Sequence, residues 1–373
     1  MKRLHLEEWH NQHARMGEFA GWHTPIWYTS INDEHMTVRE KAGVFDISHM
    51  GEFYFEGKDA EAFLDKVCVS DIAGLTADVS KYTCILNDNG GIMDEAVIYR
   101  IDATHFKMVC DAVCYDKLKG WFAKVREGME LNVIDKTEDL VLLAIQGPDA
   151  YSVSDKMGIA AREMPRFGFR HIAYKGREVL LSNSGYTGEN GFELLFDDKK
   201  PVHPDPKKVG EPTFALQVWN DLLSAGAKPV GLGCRDSLRI ECGFTLYEHE
   251  DTEEVNPLEV NFNWMIKWDK DFIGKEALVN AKAAGIKRKM KGFEMADRAI
   301  PRQGYDVMQN GKKVGVVTSG TMPPTSGKGI GLGLFDSAVE GDVDIMIRGK
   351  ETKAKIVKPP FYDKQKYGMK REA

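Results

Sequence analysis

Asn87-Asp88-Asn89-Gly90-Gly91 lies between two runs of strand character, Tyr82 to Leu86 and Glu95 to Tyr99. Asn and Gly accept positive φ at low steric cost, so these five residues read as the tight turn of a β-hairpin. Outward from the hairpin, Val44 to Ile47, Glu52 to Phe55 and Phe106 to Cys110 are further strands. Asp59 to Val69 and Tyr115 to Glu127 read as helices, the first with Phe63, Leu64 and Val67 on one face. Strands and helices alternate without long parallel crossovers, which predicts an α+β module on an antiparallel sheet.

The same reading extends to the rest of the chain. Leu4 to Met16 reads as a short helix broken by Gly21 and Pro25, and Glu34 to Lys41 as a second helix. Val141 to Gln146, Glu178 to Ser182 and Phe192 to Phe196 are strands. Phe214 to Ala225 is a helix with Leu216, Trp219, Leu222 and Leu223 at core spacing. The polar, Pro- and Lys-rich segment 197–213 between them reads as an inserted surface loop. After Trp268 the texture changes to short strands: Lys287 to Glu294, Tyr305 to Met308, Lys313 to Ser319, Ile330 to Leu334, Asp344 to Ile347 and Thr352 to Val357. Gly-rich turns separate them, which predicts a separate all-β sandwich or barrel.

Composition limits the function classes. A chain of 373 residues suggests two to three domains, and 43% hydrophobic residues is too many for a disordered chain. No uncharged apolar run approaches about 18 residues, which argues against a membrane span. Lys+Arg 50 against Asp+Glu 57 gives a net charge of −7, which argues against nucleic acid as a partner. Cys68, Cys84, Cys110, Cys114, Cys234 and Cys242 read as free thiols in a chain too long to need staples. With no secretory signal in Met1 to His10, the expected setting is cytoplasmic. The basic stretch Lys364 to Arg371 reads as a solvated tail or as a patch for a polyanionic ligand.

Three segments are suited to chemistry. Asp94 and Glu95 follow the hairpin turn, where a carboxylate is held rigidly. It can stabilise a ligand nitrogen or simply brace the turn. In Gly185-Tyr186-Thr187-Gly188-Glu189-Asn190-Gly191-Phe192-Glu193, the glycines allow close backbone approach to a flat ligand. Glu193 faces away from Phe192 and Leu194 and can accept two hydrogen bonds from an aminopyrimidine edge, or act as a core acid. Arg235 precedes a helix expected to be capped by Asp236 or Ser237, and either crosses a cleft or is structural. Arg239 and Glu241 read as ion-pair members, and His10 and His13 as surface histidines. No metal site is expected.

Taken in order, the segments Phe45-Asp46-Ile47-Ser48-His49-Met50-Gly51-Glu52, Asn89-Gly90-Gly91-Ile92-Met93-Asp94, Ala144-Ile145-Gln146-Gly147-Pro148, Gly185-Tyr186-Thr187-Gly188-Glu189, Gly233-Cys234-Arg235-Asp236-Ser237-Leu238-Arg239 and Asp271-Phe272-Ile273-Gly274-Lys275 resemble the T-protein of the glycine cleavage system. That family comprises tetrahydrofolate-dependent aminomethyltransferases. The resemblance spans nearly the whole chain. It implies an α+β cloverleaf of three lobes: 1–53 with 140–250, an inserted lobe 54–139, and a C-terminal β domain 251–373. It implies that Asp94 is the essential acid beside the folate nitrogens. It implies that Glu193 and Arg235 hold the folate, and that Met50, Tyr82, Tyr99 and Tyr186 line the pterin pocket. The implied one-carbon donor is an aminomethyl group on the dihydrolipoyl sulfur of a carrier H-protein, with ammonia released. Three departures from the pattern bear on the donor: Asp111 where the family has Asn, Glu248 where it has Gly, and the long 197–213 loop. They leave open a folate-dependent demethylase of an O-, N- or S-methyl compound. A non-catalytic folate-binding protein is the third reading, and the presence of Asp94 argues against it.

Overall fold

A computed structural model describes residues 1–198 and 212–371. Most of the predicted 197–213 loop, residues 199–211, lies outside the described residues. The opening hairpin is present. Ser80–Leu86 pairs antiparallel with Ile92–Arg100 around the turn. Asn87 Oδ1 accepts the backbone N–H groups of Asn89 and Gly91 at 3.0 and 2.9 Å. Gly90 has φ +80, and a Cβ on Gly91 would fall 1.8 Å from the Glu253 carbonyl oxygen. The turn is therefore glycine both for its φ and because the 252–255 segment packs directly on it.

Among the described residues, the strands form three larger sheets and a small one. The hairpin belongs to a five-stranded sheet ordered Ser80–Leu86, Ile92–Arg100, His105–Cys110, Gly51–Glu56, Asn132–Asp135. A six-stranded sheet runs Phe169–Tyr174, Arg177–Ser182, Gly191–Asp197, Leu140–Gln146, Gly43–Asp46, Lys228–Pro229. Its pairings are antiparallel except for the two-residue Lys228–Pro229 strand. The six strands after Arg288 close into a barrel. The fold is thus α+β with antiparallel sheets and a C-terminal β-barrel, as expected. Phe214–Ala225 forms as predicted: the Thr213 hydroxyl accepts the Leu216 N–H at 3.2 Å, and Gly226 at φ 113 ends the helix. Trp219 and Leu222 are fully buried against the six-stranded sheet's core.

Local expectations fail where long-range partners decide. The N-terminal helix is only Glu7–His13; Arg15–Phe19 and Trp22–Trp27 then form a hairpin through Ala20 and Gly21, both at positive φ. Pro25 is tolerated inside a strand because it lies opposite Met16 at a register shift. His10 is not a surface residue. It is fully buried, with Nε2 2.9 Å from Asp46 Oδ2 and Nδ1 2.9 Å from the Tyr28 hydroxyl. The helix carrying Arg235 starts at Leu232 with Gly231 as its cap, five or six residues before the expected Asp236 or Ser237, so Arg235 lies within the helix. All six cysteines are free thiols. Among the described residues, no helix is long and apolar enough to cross a membrane.

The stretch Lys364 to Arg371 is not simply a solvated tail. Lys364 and Lys366 are exposed, but Gly368 N–H donates to Glu189 Oε1 at 2.9 Å and Met369 N–H to the Gly188 carbonyl at 2.9 Å. Arg371 bonds Glu189 and, at 3.1 Å, the carbonyl of Arg39. Arg39 is itself buried, donating to Glu241 Oε2 at 2.6 Å and Glu189 Oε1 at 2.9 Å. As the sequence suggested, Glu241 is an ion-pair member. So is Arg239, 2.8 Å from both Asp236 and Glu250.

Candidate active site

The sheets and the barrel meet around a cavity of about 1250 Å³. That exceeds the roughly 300–1,000 Å³ typical of drug-sized ligands and suits a long, multi-ring one. Met50, Tyr82, Tyr99, Tyr186, Glu193 and Arg235 all line it. Residues far apart in sequence arrive together on five elements: Met50 on the turn after Gly43–Asp46, Tyr82 and Tyr99 on the hairpin, Tyr186 on the glycine-rich loop, Glu193 on the Gly191–Asp197 strand and Arg235 on the Leu232–Cys242 helix.

Glu193 lies in register with Ala144 and Ser182 and accepts the Ser184 hydroxyl. Phe192 and Leu194 pack into the core on the opposite face, as strand alternation requires. Burial raises the Glu193 pKa, opposed by Ser184 and by the cations Arg235, Lys107 and Arg166. The Arg235 guanidinium lies 4.7 Å from the Tyr186 ring centroid, and its Nη1 is buried without a hydrogen-bond partner. A buried guanidinium N–H left unpaired is costly, so the site fits a ligand that supplies an acceptor there. The Tyr186 hydroxyl donates to the Thr245 carbonyl. Burial also pushes the Tyr99 hydroxyl up.

Asp94 is placed differently. Its side chain is fully buried and is not part of the cavity wall. Further along the strand Ala96 and Ile98 pack in the core of the five-stranded sheet, and Glu95, Ala96, Val97 and Tyr99 line the cavity. Asp94 Oδ1 accepts the Glu95 N–H at 2.8 Å and Oδ2 the Asp111 N–H at 3.1 Å. Burial, and then the nearby Asp111 carboxylate, raise its pKa well above the usual carboxylate value. Of the two adjacent acids, Glu95 is the one that lines the cavity. It accepts the Tyr82 hydroxyl and, at 2.8 Å, the Thr245 hydroxyl. Asp111 also lines the wall. Glu248 does not, but it holds φ 67, a left-handed conformation that favours glycine.

Other wall residues carried no local signal. His49 precedes Met50; its Nδ1 is buried without a partner, and burial followed by Arg235 lowers its pKa to about 4. Trp264 is 65% exposed at the cavity and stacks on Tyr82 with centroids 6.3 Å apart. His249 joins the wall with Nδ1 3.0 Å from the Thr318 carbonyl. Glu95 had a readable signal, its place directly after the hairpin turn.

Comparison with known proteins agrees with this architecture. Residues 6–270 match the GCVT N-terminal domain, and 288–363 match the glycine cleavage T-protein C-terminal barrel domain. The chain is 45% identical to a probable aminomethyltransferase of Thermococcus kodakarensis, with both chains covered in full. It is 38% identical to the aminomethyltransferase of Thermosipho melanesiensis over 94% of this chain and 93% of that one. The crystal structure of glycine cleavage system aminomethyltransferase T from Bartonella henselae superposes with a TM-score of 0.87 at 31% identity, covering 98% and 99% of the two chains. The relatives matched over nearly the whole chain are transferases, and the α+β body with its closed C-terminal barrel is of their kind. The chain belongs to the glycine cleavage T-protein family of aminomethyltransferases.

Proposed function

We propose that the protein transfers a one-carbon unit from the aminomethyl-dihydrolipoyl arm of an H-protein to tetrahydrofolate, releasing ammonia. The observation that carries this reading is the Glu193–Arg235 pair. A strand carboxylate and a guanidinium with an unpaired N–H converge on one cavity large enough for a pterin, its aryl linker and a tail. Glu193 offers acceptors to the aminopyrimidine edge, Arg235 donates to an acceptor on the folate, and Met50, Tyr99 and Tyr186 supply apolar and aromatic wall. Positioning dominates such a transfer, because the two reacting groups must meet in one orientation. A cavity-facing carboxylate then stabilises positive charge on the migrating carbon. Glu95 occupies that place, and Asp94 supports it from behind by fixing the Glu95 and Asp111 backbone.

The lobes are read as 1–53 with 140–250, 54–139, and 251–373, although the strand Gly51–Glu56 of the five-stranded sheet crosses the first boundary. The free thiols support a cytoplasmic setting. The test mixes the protein with aminomethyl-loaded H-protein and tetrahydrofolate and follows ammonia and 5,10-methylenetetrahydrofolate. Catalysed release of both upholds the reading. No turnover above the uncatalysed rate, together with 5-methyltetrahydrofolate formed from a methylated amine, ether or thioether, replaces it with demethylation.

A further inference from the structure

In the glycine-rich loop, Ser184, Gly185 and Tyr186 line the cavity, and the next three residues carry polar bonds to the rest of the chain. The base of the loop is held from within. Arg39 Nη1 donates to the Thr187 carbonyl at 2.8 Å, and the Thr187 hydroxyl donates to Gln146 Oε1 at 2.8 Å. The far side is held by the segment 358–371. That segment leaves the barrel at Lys358 and Pro359, which line the cavity, and lays the Tyr362 ring 4.5 Å from the Arg39 guanidinium. It reaches the loop at Gly368 and Met369, whose N–H groups donate to Glu189 Oε1 and the Gly188 carbonyl, both at 2.9 Å. Arg371 closes the fastening with all three guanidinium nitrogens. Its Nη2 bonds Glu189 Oε2, and its Nη1 and Nε donate to the carbonyls of Arg39 and Gly368, each at 3.1 Å. Arg166, another residue of the cavity wall, donates to Met369 Sδ at 2.8 Å.

We infer that the segment 362–371 is a latch that positions the glycine-rich loop for tetrahydrofolate, with Gly368 and Arg371 as positioning residues. Gly185, Gly188 and Gly191 leave this loop with a large backbone entropy to lose on ordering. Its cavity-facing member, Tyr186, has its ring 4.7 Å from the Arg235 guanidinium, whose Nη1 lacks a partner. A ligand bonded to Arg235 and packed on Tyr186 needs the loop in this place. Latch contacts made before the ligand arrives remove part of the ordering it would otherwise impose, and so raise its affinity. The inference rests on the tetrahydrofolate reading of the cavity. Such coupling is reciprocal: whatever the closed latch adds to folate affinity, bound folate adds to latch closure. The fold itself does not depend on Arg371. Without it, Glu189 Oε1 keeps Arg39 Nη1 and the Gly368 N–H, both at 2.9 Å, so no carboxylate is stranded.

The experiment uses the full chain, the variants Arg371→Ala, Arg371→Lys and Gly368→Ala, and the exposed Lys364→Ala as a control. Gly368 holds φ +88, and a Cβ there would fall 2.6 Å from the Tyr362 hydroxyl oxygen, so Gly368→Ala displaces the latch while keeping the Arg371 side chain. Titration with tetrahydrofolate should give a Kd raised about fivefold or more in Arg371→Ala and Gly368→Ala, partly restored in Arg371→Lys and unchanged in Lys364→Ala. With aminomethyl-loaded H-protein, the KM for tetrahydrofolate should rise in step with Kd. The kcat should stay within about twofold, because saturating folate itself holds the loop. In the wild type, hydrogen exchange at the Gly368 and Met369 amides should slow about fivefold or more with saturating tetrahydrofolate. That measurement needs no variant to fold, and a merely structural role would leave it unmoved. An unchanged Kd in both Arg371→Ala and Gly368→Ala overturns the latch and leaves the folate reading standing. So does exchange at 368–369 that is indifferent to bound folate. A wild type that binds no tetrahydrofolate overturns the folate reading itself, and the latch with it.

Discussion

Asp94 Oδ2 accepts the backbone N–H of Asp111 at 3.1 Å, tying neighbouring strands together behind the cavity wall. The buried acid therefore holds the backbone that carries Glu95 and Asp111, so the roles proposed for the carboxyls at 94 and 95 can be tested apart. Glu95→Gln should lower turnover by about 10²–10⁴-fold while tetrahydrofolate binding stays within a few-fold. Asp94→Ala leaves two backbone N–H groups unpaired and should cost about 1–3 kcal/mol of stability as well as activity. Steady-state rates, folate titration and denaturant unfolding read the two apart. A Glu95→Gln enzyme of wild-type rate would remove Glu95 from the chemistry.

Arg235 and Glu193 should govern folate affinity more than rate. Glu193→Gln or Arg235→Ala removes a charge-assisted bond of about 2 kcal/mol, so the folate Kd should rise about 30-fold by calorimetry. Arg235→Lys should recover only part of this, because an ammonium cannot reproduce the planar fork or its stacking on Tyr186. An unchanged Kd in both alanine and glutamine variants counts against the assignment.

Arg39 is the cation shared by two buried carboxylates, Glu189 and Glu241, which Arg371 and His35 also contact. Arg39→Met leaves Glu241 and Glu189 without their shared cation and should destabilise the fold by about 3–5 kcal/mol in chemical denaturation. A change below about 1 kcal/mol would show that the carboxylates are satisfied without it.

His49 predicts a pH dependence of stability. Its folded pKa is lowered to about 4, so the unfolded chain takes up the proton first as pH falls below about 6.5. This group's contribution is therefore intact above about pH 6.5 and declines steadily from there to about pH 4, by up to roughly 3 kcal/mol. Thermal unfolding between pH 7 and pH 4 should show a shallower loss for His49→Gln than for the wild type. Parallel curves would place the titration elsewhere.

What the sequence revealed follows from the range of each interaction. The Asn87–Gly91 turn, the Phe214–Ala225 helix and the barrel strands are decided by neighbours within a few residues, and they were legible. His10 was misread because its partner Asp46 is 36 residues away. The Trp22–Trp27 strand was missed because Pro25 reads as a breaker until its register-shifted partner is known. The helix start at Leu232 was displaced because Glu34, not a local side chain, accepts the Gly231 N–H, at 2.8 Å. The six cavity residues were found through a family pattern, since no local rule brings positions 50, 82, 99, 186, 193 and 235 together. Asp94 and Glu95 share one turn, so their motif cannot separate them. Position does: Glu95 lines the cavity, and Asp94 is buried and does not.

The contacts of Gly368, Met369 and Arg371 with Gly188, Glu189 and Arg39 have a kinetic consequence. They span sequence separations of 179 and 182 residues at Glu189 and 332 at Arg39. Such loops are slow to close, because chain entropy must be surrendered before the contact repays it. The glycine-rich loop between Gly185 and Gly191 is therefore fastened after the hairpin and barrel have formed. In refolding followed by pulsed hydrogen exchange, the amides of Gly368 and Met369 should gain protection later than those of Ile92–Arg100, and the binding cavity matures last.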